Sequence, residues 1–341
     1  MSKILTSKQR IKAFIQLGHV LQKPDEQLKQ LISSAQQYNA WFTPQSTAKA
    51  VAAIANMLSE NDLQKWLEEK QDLSQKSFSI SLILAGNIPL VGFHDILCVL
   101  ASGNKALIKL SSQDKLLTPY ILNKLVEIES AFAEQFEFID RLKDFDAVIA
   151  TGSNNTSRYF DYYFSKVPNI IRKNRNSIAV LNGKESREEL HALGNDIFDY
   201  FGLGCRNVSK VFVPKGYKFD TFFESIEDFK SIADHHKYNN NYDYNKSIFL
   251  VNMDKHLDNG FLLVKEDERF ASPLAVLYYE EYENIDKVNK KLFEQKDQIQ
   301  CIISNETLSI ETLGFGQSQC PALWDYADGV DTIEFLRGLG S

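Results

Sequence analysis

No apolar run in these 341 residues is long enough to cross a membrane, no cysteine pair is spaced for a metal, and no basic tract stands out. Each absence removes a class of function. The most apolar stretch, Ile80 to Ala101, is broken by Asn87, Pro89, His94 and Asp95, groups that a transmembrane helix does not carry in series. The first residues, Met1-Ser2-Lys3-Ile4-Leu5-Thr6, hold no apolar h-region, so no signal peptide is expected. The four cysteines, Cys98, Cys205, Cys301 and Cys320, stand far apart with no CxxC. That pattern suits a reducing cytoplasm and argues against a disulfide framework or a zinc site. The six histidines form no triad by spacing, and His235 and His236 are expected in surface or structural roles, with an acid or ligand contact as the alternative. A formal net charge of −7, with no basic tract against it, argues against nucleic acid as a partner. No fixed-period repeat is visible.

What is present supports a large core. Hydrophobic residues make up 44% of the chain, enough for two domains. The first 75 or so residues read as helices. Ser7 caps a helix with Ile11, Phe14, Ile15, Val20 and Leu21 on its apolar face. Pro24 stands where an N1 proline belongs, ahead of Leu28, Leu31 and Ile32. Thr43-Pro44 opens a third helix with Val51, Ile54, Ala55 and Leu58, and Trp66 and Leu67 extend the apolar set.

From about Ser77 strands and helices alternate. Strands are predicted at 79–85, 106–110, 146–150, 177–181 and 208–213, with helices at 90–102, 114–138, 154–166 and 187–201. Further strands are expected at 247–251, 274–279 and 300–303. Such alternation with short apolar strands implies an α/β fold whose mostly parallel sheet is covered on both faces. The polar run from Tyr238 to Asn245 reads as a surface loop, or as tyrosines lining a ligand channel. The 23 phenylalanines and 14 tyrosines suit an acyl tunnel or, for most of them, the core.

Four stretches carry chemistry. Phe201-Gly202-Leu203-Gly204-Cys205 sets a cysteine behind two glycines and ahead of a β-branched run. A thiol on such a turn is a nucleophile if its pKa is lowered, and an inert core residue otherwise. Gly86-Asn87-Ile88-Pro89-Leu90 ends a predicted strand, where open α/β sheets place their sites. Asn87 either aims its amide at an oxyanion or serves a turn. Lys109, Ser111 and Ser112 end the next strand, where they can hold ribose hydroxyls or phosphate, or be solvated. Thr151-Gly152-Ser153 precedes a helix and suits an anion at its N-terminus, or an ordinary cap; it is not a GxGxxG turn.

Taken in order and spacing, Gly86-Asn87-Ile88-Pro89-Leu90, the run from Ser102 to Ser112, Thr151-Gly152-Ser153 and Gly204-Cys205 resemble the aldehyde dehydrogenase superfamily. Within it the chain resembles the acyl-CoA reductase branch, the fatty acid reductases of bacterial luminescence systems. Phe315-Gly316-Gln317-Ser318-Gln319 and the run from Trp324 to Asp331 look like that branch's C-terminal signature. The resemblance runs from about residue 80 to the end.

The resemblance implies a Rossmann-like cofactor domain plus a catalytic α/β domain, with the site in a cleft. The expected organisation is a helical region and dinucleotide-binding domain over 1–180, a catalytic domain over 181–310, and a segment returning to the cofactor domain over 311–341. By position, Cys205 matches the catalytic thiol and Asn87 the oxyanion-hole amide, assisted by the Cys205 backbone N–H. Lys109 matches the lysine on the adenosine ribose, with Ser111 beside it. Ser112 stands where NAD-preferring members often carry a glutamate, which tilts the choice to NADPH. Thr151, Gly152 and Ser153 match the turn beside the nicotinamide half. Glu268 resembles the glutamate on the nicotinamide ribose, although Ala271-Ser272-Pro273 departs from the usual spacing.

Hydrolytic members carry a general-base glutamate where this chain has Ile171-Arg172-Lys173-Asn174-Arg175-Asn176-Ser177, with no acid. Without a base to activate water, reduction of an acyl thioester fits better than hydrolysis to acid. Arg172, Lys173 and Arg175 offer charge to a coenzyme A phosphate, or form a solvated strand edge. The reading is then NADPH-dependent reduction of a coenzyme A or carrier-protein acyl thioester to aldehyde, by a cytoplasmic protein that can form a homodimer. The alternatives are a non-catalytic nucleotide- or partner-binding homologue, a cysteine thioesterase, and an aldehyde dehydrogenase running oxidatively.

Overall fold

The computed structural model describes residues 5–68, 77–152 and 154–340. Met1 to Ile4 and Ser153, both named in the sequence reading, lie outside the described residues. The chain divides into two compact units: Met1–Lys173 with Pro321–Ser341, and Asn174–Cys320. Its divisions thus fall after 173 and 320, where the sequence reading put them at 180 and 310.

The first unit begins with four helices, α1 (Ser7–Gln22), α2 (Glu26–Tyr38), α3 (Pro44–Met57) and α4 (Glu60–Glu68). Thr6, not Ser7, caps α1: its hydroxyl accepts from Gln9 N–H while the Gln9 side chain accepts from Thr6 N–H, a reciprocal box. Asp25 caps α2, which leaves Pro24 outside the helix. Thr43 caps α3 with Pro44 in its first turn, as the sequence predicts. Phe14, Leu17, Leu28, Val51, Leu58 and Trp66 join one buried core with the sheet that follows.

That sheet is built from β1 (Ser79–Ile83), α5 (Phe93–Ala101), β2 (Lys105–Lys109), α6 (Leu117–Ile128), β3 (Phe136–Phe138), β4 (Ala147–Thr151), α7 (Asn154–Tyr163) and β5 (Asn169–Arg172). Its order is β3-β2-β1-β4-β5, and every pair is parallel. The winding reverses between β1 and β4, so the crevice outside their C-terminal ends is the switch point where such sheets bind ligands. The helix expected over 114–138 is shorter. It stops at Ile128, a 3₁₀ turn from Ser130 to Glu134 buries Phe132, and β3 then closes the outer edge of β2. Unpaired edge groups of β2 win over helix continuation: Ala106 N–H donates to the Gln135 carbonyl and Ile139 N–H to the Ile108 carbonyl.

The second unit holds β6 (Asn176–Val180), α8 (Arg187–Phe198), β7 (Val208–Pro214), α9 (Asp220–Ser225), α10 (His236–Asn252), β8 (Leu257–Asp258), β9 (Leu263–Glu266), β10 (Val276–Tyr282), α11 (Ile285–Glu294) and β11 (Ile299–Ile303). The sheet runs β11-β6-β7-β10-β9-β8, parallel except for the β8–β9 pair. Both the loop expected at 238–245 and the strand expected at 247–251 are in fact α10. Tyr238, Tyr242, Asn245 and Phe249 form its buried stripe at helical spacing. The asparagines, poor helix formers alone, are satisfied along the helix: Asn241 and Asn245 amides donate to the carbonyls four residues back. His235 caps this helix, accepting from Tyr238 N–H.

The chain returns to the first unit and ends in α12 (Thr332–Gly338). The signature run from Trp324 to Asp331 packs within that unit. Trp66 Nε1 donates to Tyr326 Oη at 2.8 Å, and the His94 ring packs against both. Arg172 is neither a solvated edge residue nor available to a phosphate. It is buried, forks onto Asp95 at 2.6 and 3.1 Å, and donates to the Ala327 carbonyl and Thr332 hydroxyl. Lys173 pairs with Asp161, and Arg175 donates to the Ile299 carbonyl. Removing one partner of a buried pair strands the other charge. Asp95→Ala is expected to cost about 3 kcal/mol in urea unfolding, with loss of the 324–331 packing; a cost under about 1 kcal/mol would refute a clamp there.

Candidate active site

The candidate residues of the first unit gather at the C-terminal ends of three neighbouring strands. Register sets Ile83 beside Lys109 on one side and beside Ala150 on the other. The Asn87 loop, Lys109 to Ser112, and Thr151-Gly152 therefore rise from one edge of the sheet. Asn87, Lys109 and Ser112 are exposed; Ser111, Thr151 and Gly152 are half-buried.

The backbone there is tightly fixed. Gly86 is buried so close to Ser111 that a Cβ would lie 2.4 Å from its Oγ, so only glycine fits. The Asn39 amide, from the end of α2, donates to the Gly86 carbonyl at 3.4 Å. Leu90 takes a left-handed φ of 59°, costly for a branched residue. Buried Asp114 holds it, its carboxylate accepting from Leu90 N–H at 2.8 Å. Burial raises the Asp114 pKa against that bond and one from Leu117 N–H. Sequence reading missed Asn39 and Asp114; their only signal is a polar side chain inside an otherwise apolar pattern.

The second unit holds the cysteine turn. The helix expected to reach 201 ends at Phe198. Tyr200, Phe201 and Gly202 follow with φ of 52°, 61° and 76°. Two non-glycine residues in succession in the left-handed region store strain, of order 1–2 kcal/mol each. Buried Asn207 holds the turn closed. Its amide donates to the Asp199 carbonyl at 2.8 Å and the Asp196 carbonyl at 3.2 Å, while its own oxygen accepts from Gly204 N–H at 2.8 Å. The Phe201 ring rests on His235, centroids 4.4 Å apart.

Cys205 is exposed on this braced turn. Its carbonyl accepts from Ser177 Oγ at 2.9 Å, and Ser177, fully buried, lies 3.0 Å from Cys301 Sγ. Burial pushes the Cys301 thiol up to about 11, which leaves it a poor nucleophile beside an exposed one. The signature loop 315–319 lies against the same turn. Asp196, 1% exposed, accepts from Gly316 N–H at 2.6 Å and Ser318 N–H at 2.9 Å, and Arg206 Nη1 donates to the Ser318 carbonyl at 3.2 Å. Glu268 is exposed on a loop that Lys210 and Ser209 brace through the Asp267 and Phe270 carbonyls. Among the described residues no group of His, Cys, Asp or Glu could hold a metal, and no helix is long and apolar enough to cross a membrane.

Asp196 gives a signed pH prediction. Burial raises its folded pKa above the unfolded value, so its contribution is fullest below the unfolded pKa and is lost as pH rises through the folded one. The stability difference between wild type and Asp196→Asn should therefore move toward wild type as pH falls from neutral to about 4. Unfolding curves at several pH values check this, and a difference that moves the other way would overturn the assignment.

A family model described as acyl-CoA reductase (LuxC) matches residues 19–225. No curated protein sequence matches the chain. Solved structures match over most of their length. Aldehyde dehydrogenase 21 from Physcomitrella patens, in complex with the reaction product succinate, is 12% identical at TM-score 0.68, covering 98% of this chain and 84% of that one. The aldehyde dehydrogenase KauB from Pseudomonas aeruginosa is 14% identical at TM-score 0.62, covering 89% and 73%. A mutant of the indole-3-acetaldehyde dehydrogenase AldA from P. syringae, in complex with NAD+ and IAA, is 11% identical at TM-score 0.61, covering 88% and 72%. These likenesses establish the aldehyde dehydrogenase fold.

Proposed function

This chain belongs to the acyl-CoA reductase (LuxC) family, and from that premise we propose that it reduces an acyl thioester to the aldehyde with NADPH, carrying the acyl group on Cys205. The observation that carries the reading is the cysteine turn. An exposed thiol stands on a backbone that Asn207 and Ser177 lock, within the matched segment. Nucleophiles favour such strained, over-determined turns.

A dinucleotide fits the first unit's strand ends. A Cβ on Gly86 would clash with Ser111 at 2.4 Å and one on Gly152 would press on Thr156 and Phe160 at 3.0 Å, so glycine keeps the backbone bare beside the switch point. Lys109 and Ser111 would hold the adenosine ribose. Ser112, with no negative charge, admits a 2′-phosphate. Thr151, Gly152 and Ser153 would meet the nicotinamide half, and Glu268 its ribose. When bound, the nicotinamide supplies the hydride that the acyl group accepts.

The chain's own residues do the rest. The Cys205 sulfur attacks the thioester carbonyl, and the oxyanion takes hydrogen bonds from the Cys205 N–H and the Asn87 amide. The coenzyme A or carrier-protein sulfur leaves as a thiolate and takes a proton from solvent, giving an acyl-cysteine. Aldehyde release returns the thiolate. No acid in 171–177 is at hand to activate water, and Arg172 in that run is consumed by Asp95. That favours reduction over hydrolysis. The four dispersed cysteines suit a cytoplasmic setting.

The test is NADPH consumption with a panel of acyl-CoAs and an acyl-carrier protein. Cys205→Ala should fall to background, and Asn87→Ala should lose about a hundredfold in kcat. Ser112→Glu should raise the KM for NADPH and spare NADH. Full activity in Cys205→Ala would remove the nucleophile; acid formed without NADPH loss would point to a thioesterase. Silence with every thioester, but turnover of aldehyde with a nicotinamide, would favour the oxidative reading.

A further inference from the structure

Arg206 follows Cys205 directly and is half-buried. Its guanidinium is anchored, since Nη1 donates to the Ser318 carbonyl at 3.2 Å. That carbonyl is itself fixed, because the N–H groups of Gly316 and Ser318 both donate to the buried Asp196 carboxylate. On the other flank Ser177 grips the Cys205 carbonyl and touches Cys301. Thiol and guanidinium thus stand on neighbouring residues, the cysteine held through its backbone carbonyl by Ser177 and the guanidinium held on the Ser318 carbonyl.

We propose that Arg206, anchored through Ser318 to the loop that Asp196 clamps, holds a fixed positive charge beside Cys205 and keeps its sulfur in the thiolate form. The inference rests on Cys205 as the nucleophile of the proposed function and names what activates it. Arg206 is a positioning residue: it acts through the sulfur and forms no bond to substrate.

The other titratable groups around the turn are Asp196 and Asp199 at the end of α8, Tyr200 behind them, Cys301 on β11, Cys320 after the loop, and His235, whose ring meets Phe201. Both carboxylates oppose a thiolate, so an activated Cys205 needs a cation set against them. Arg206 already has that effect on the neighbouring thiol. At Cys301 burial is the largest influence and raises the pKa, Arg206 lowers it, and Asp196 and Cys205 raise it. A fixed guanidinium suits the task because it never deprotonates in the working range.

The experiment is alkylation by iodoacetamide from about pH 5 to pH 10, followed by mass spectrometry at the Cys205 peptide so that other thiols do not contribute. No substrate or cofactor is needed. In Arg206→Gln the alkylation midpoint should rise by about one pH unit. The rate at neutral pH should fall about tenfold while the high-pH plateau is kept. Arg206→Lys, which keeps the charge, should shift less. An unchanged midpoint in a folded Arg206→Gln overturns the proposal and assigns the residue to the loop alone. Should that variant fail to fold, the wild type decides: a midpoint at or above the free-cysteine value of about 8.5 overturns it, and one well below supports it. A fully active Cys205→Ala would instead sink the nucleophile, whatever the midpoint.

Discussion

Parallel pairing of strands is the constraint on which the rest of this molecule depends. Among the described residues every strand pair except β8–β9 is parallel. Parallel neighbours cannot be joined by a tight hairpin, so each connection must cross the sheet, mostly as a helix. Two results follow. The strands are buried on both faces and read as short apolar runs, as in Ala147-Val148-Ile149-Ala150. The C-terminal ends of neighbouring strands also share one edge, which gathers Asn87, Lys109 and Thr151 from segments up to 64 residues apart.

Irregular backbone at the candidate site is held by a few buried polar side chains. Asp114 fixes left-handed Leu90, Asn207 closes the turn at Tyr200 and Phe201, and Asp196 secures the 315–319 loop. Each satisfies backbone N–H or C=O groups that regular structure cannot pair, which is why burying it is tolerable. Arg172 does the same for the 324–331 segment while neutralising Asp95. Both C-terminal segments, 315–319 and 324–331, therefore have a structural role: one braces the cysteine turn, the other locks the end of the chain to its own unit.

Much of this was legible in the residues. The glycines at 86 and 202, the ligand-type residues after successive strands and the cysteine behind its turn are local features, because tight turns and close backbone approach demand particular residue types. α10 shows where local reading fails. Its asparagine and tyrosine content speaks for a loop, yet Tyr238, Tyr242, Asn245 and Phe249 bury one face, and tertiary burial outweighs propensity. The run over 114–138 fails for a different reason. Its break answers to the unpaired edge of β2, a partner that lies earlier in the chain.

The sequence by itself determined the alternation of strands and helices, the bare glycine at the first strand's end and the glycine-rich turn ahead of Cys205, since each follows from side-chain size, periodicity or backbone freedom within a few residues. Only the tertiary structure decided what holds those pieces. Asp196 with loop 315–319, Asn39 with Gly86, Arg172 with Asp95, and Ser177 with Cys205 join residues 28 to 122 positions apart. Such pairs leave no periodic trace, because a buried polar group is matched to whichever orphaned donor or acceptor the fold brings beside it.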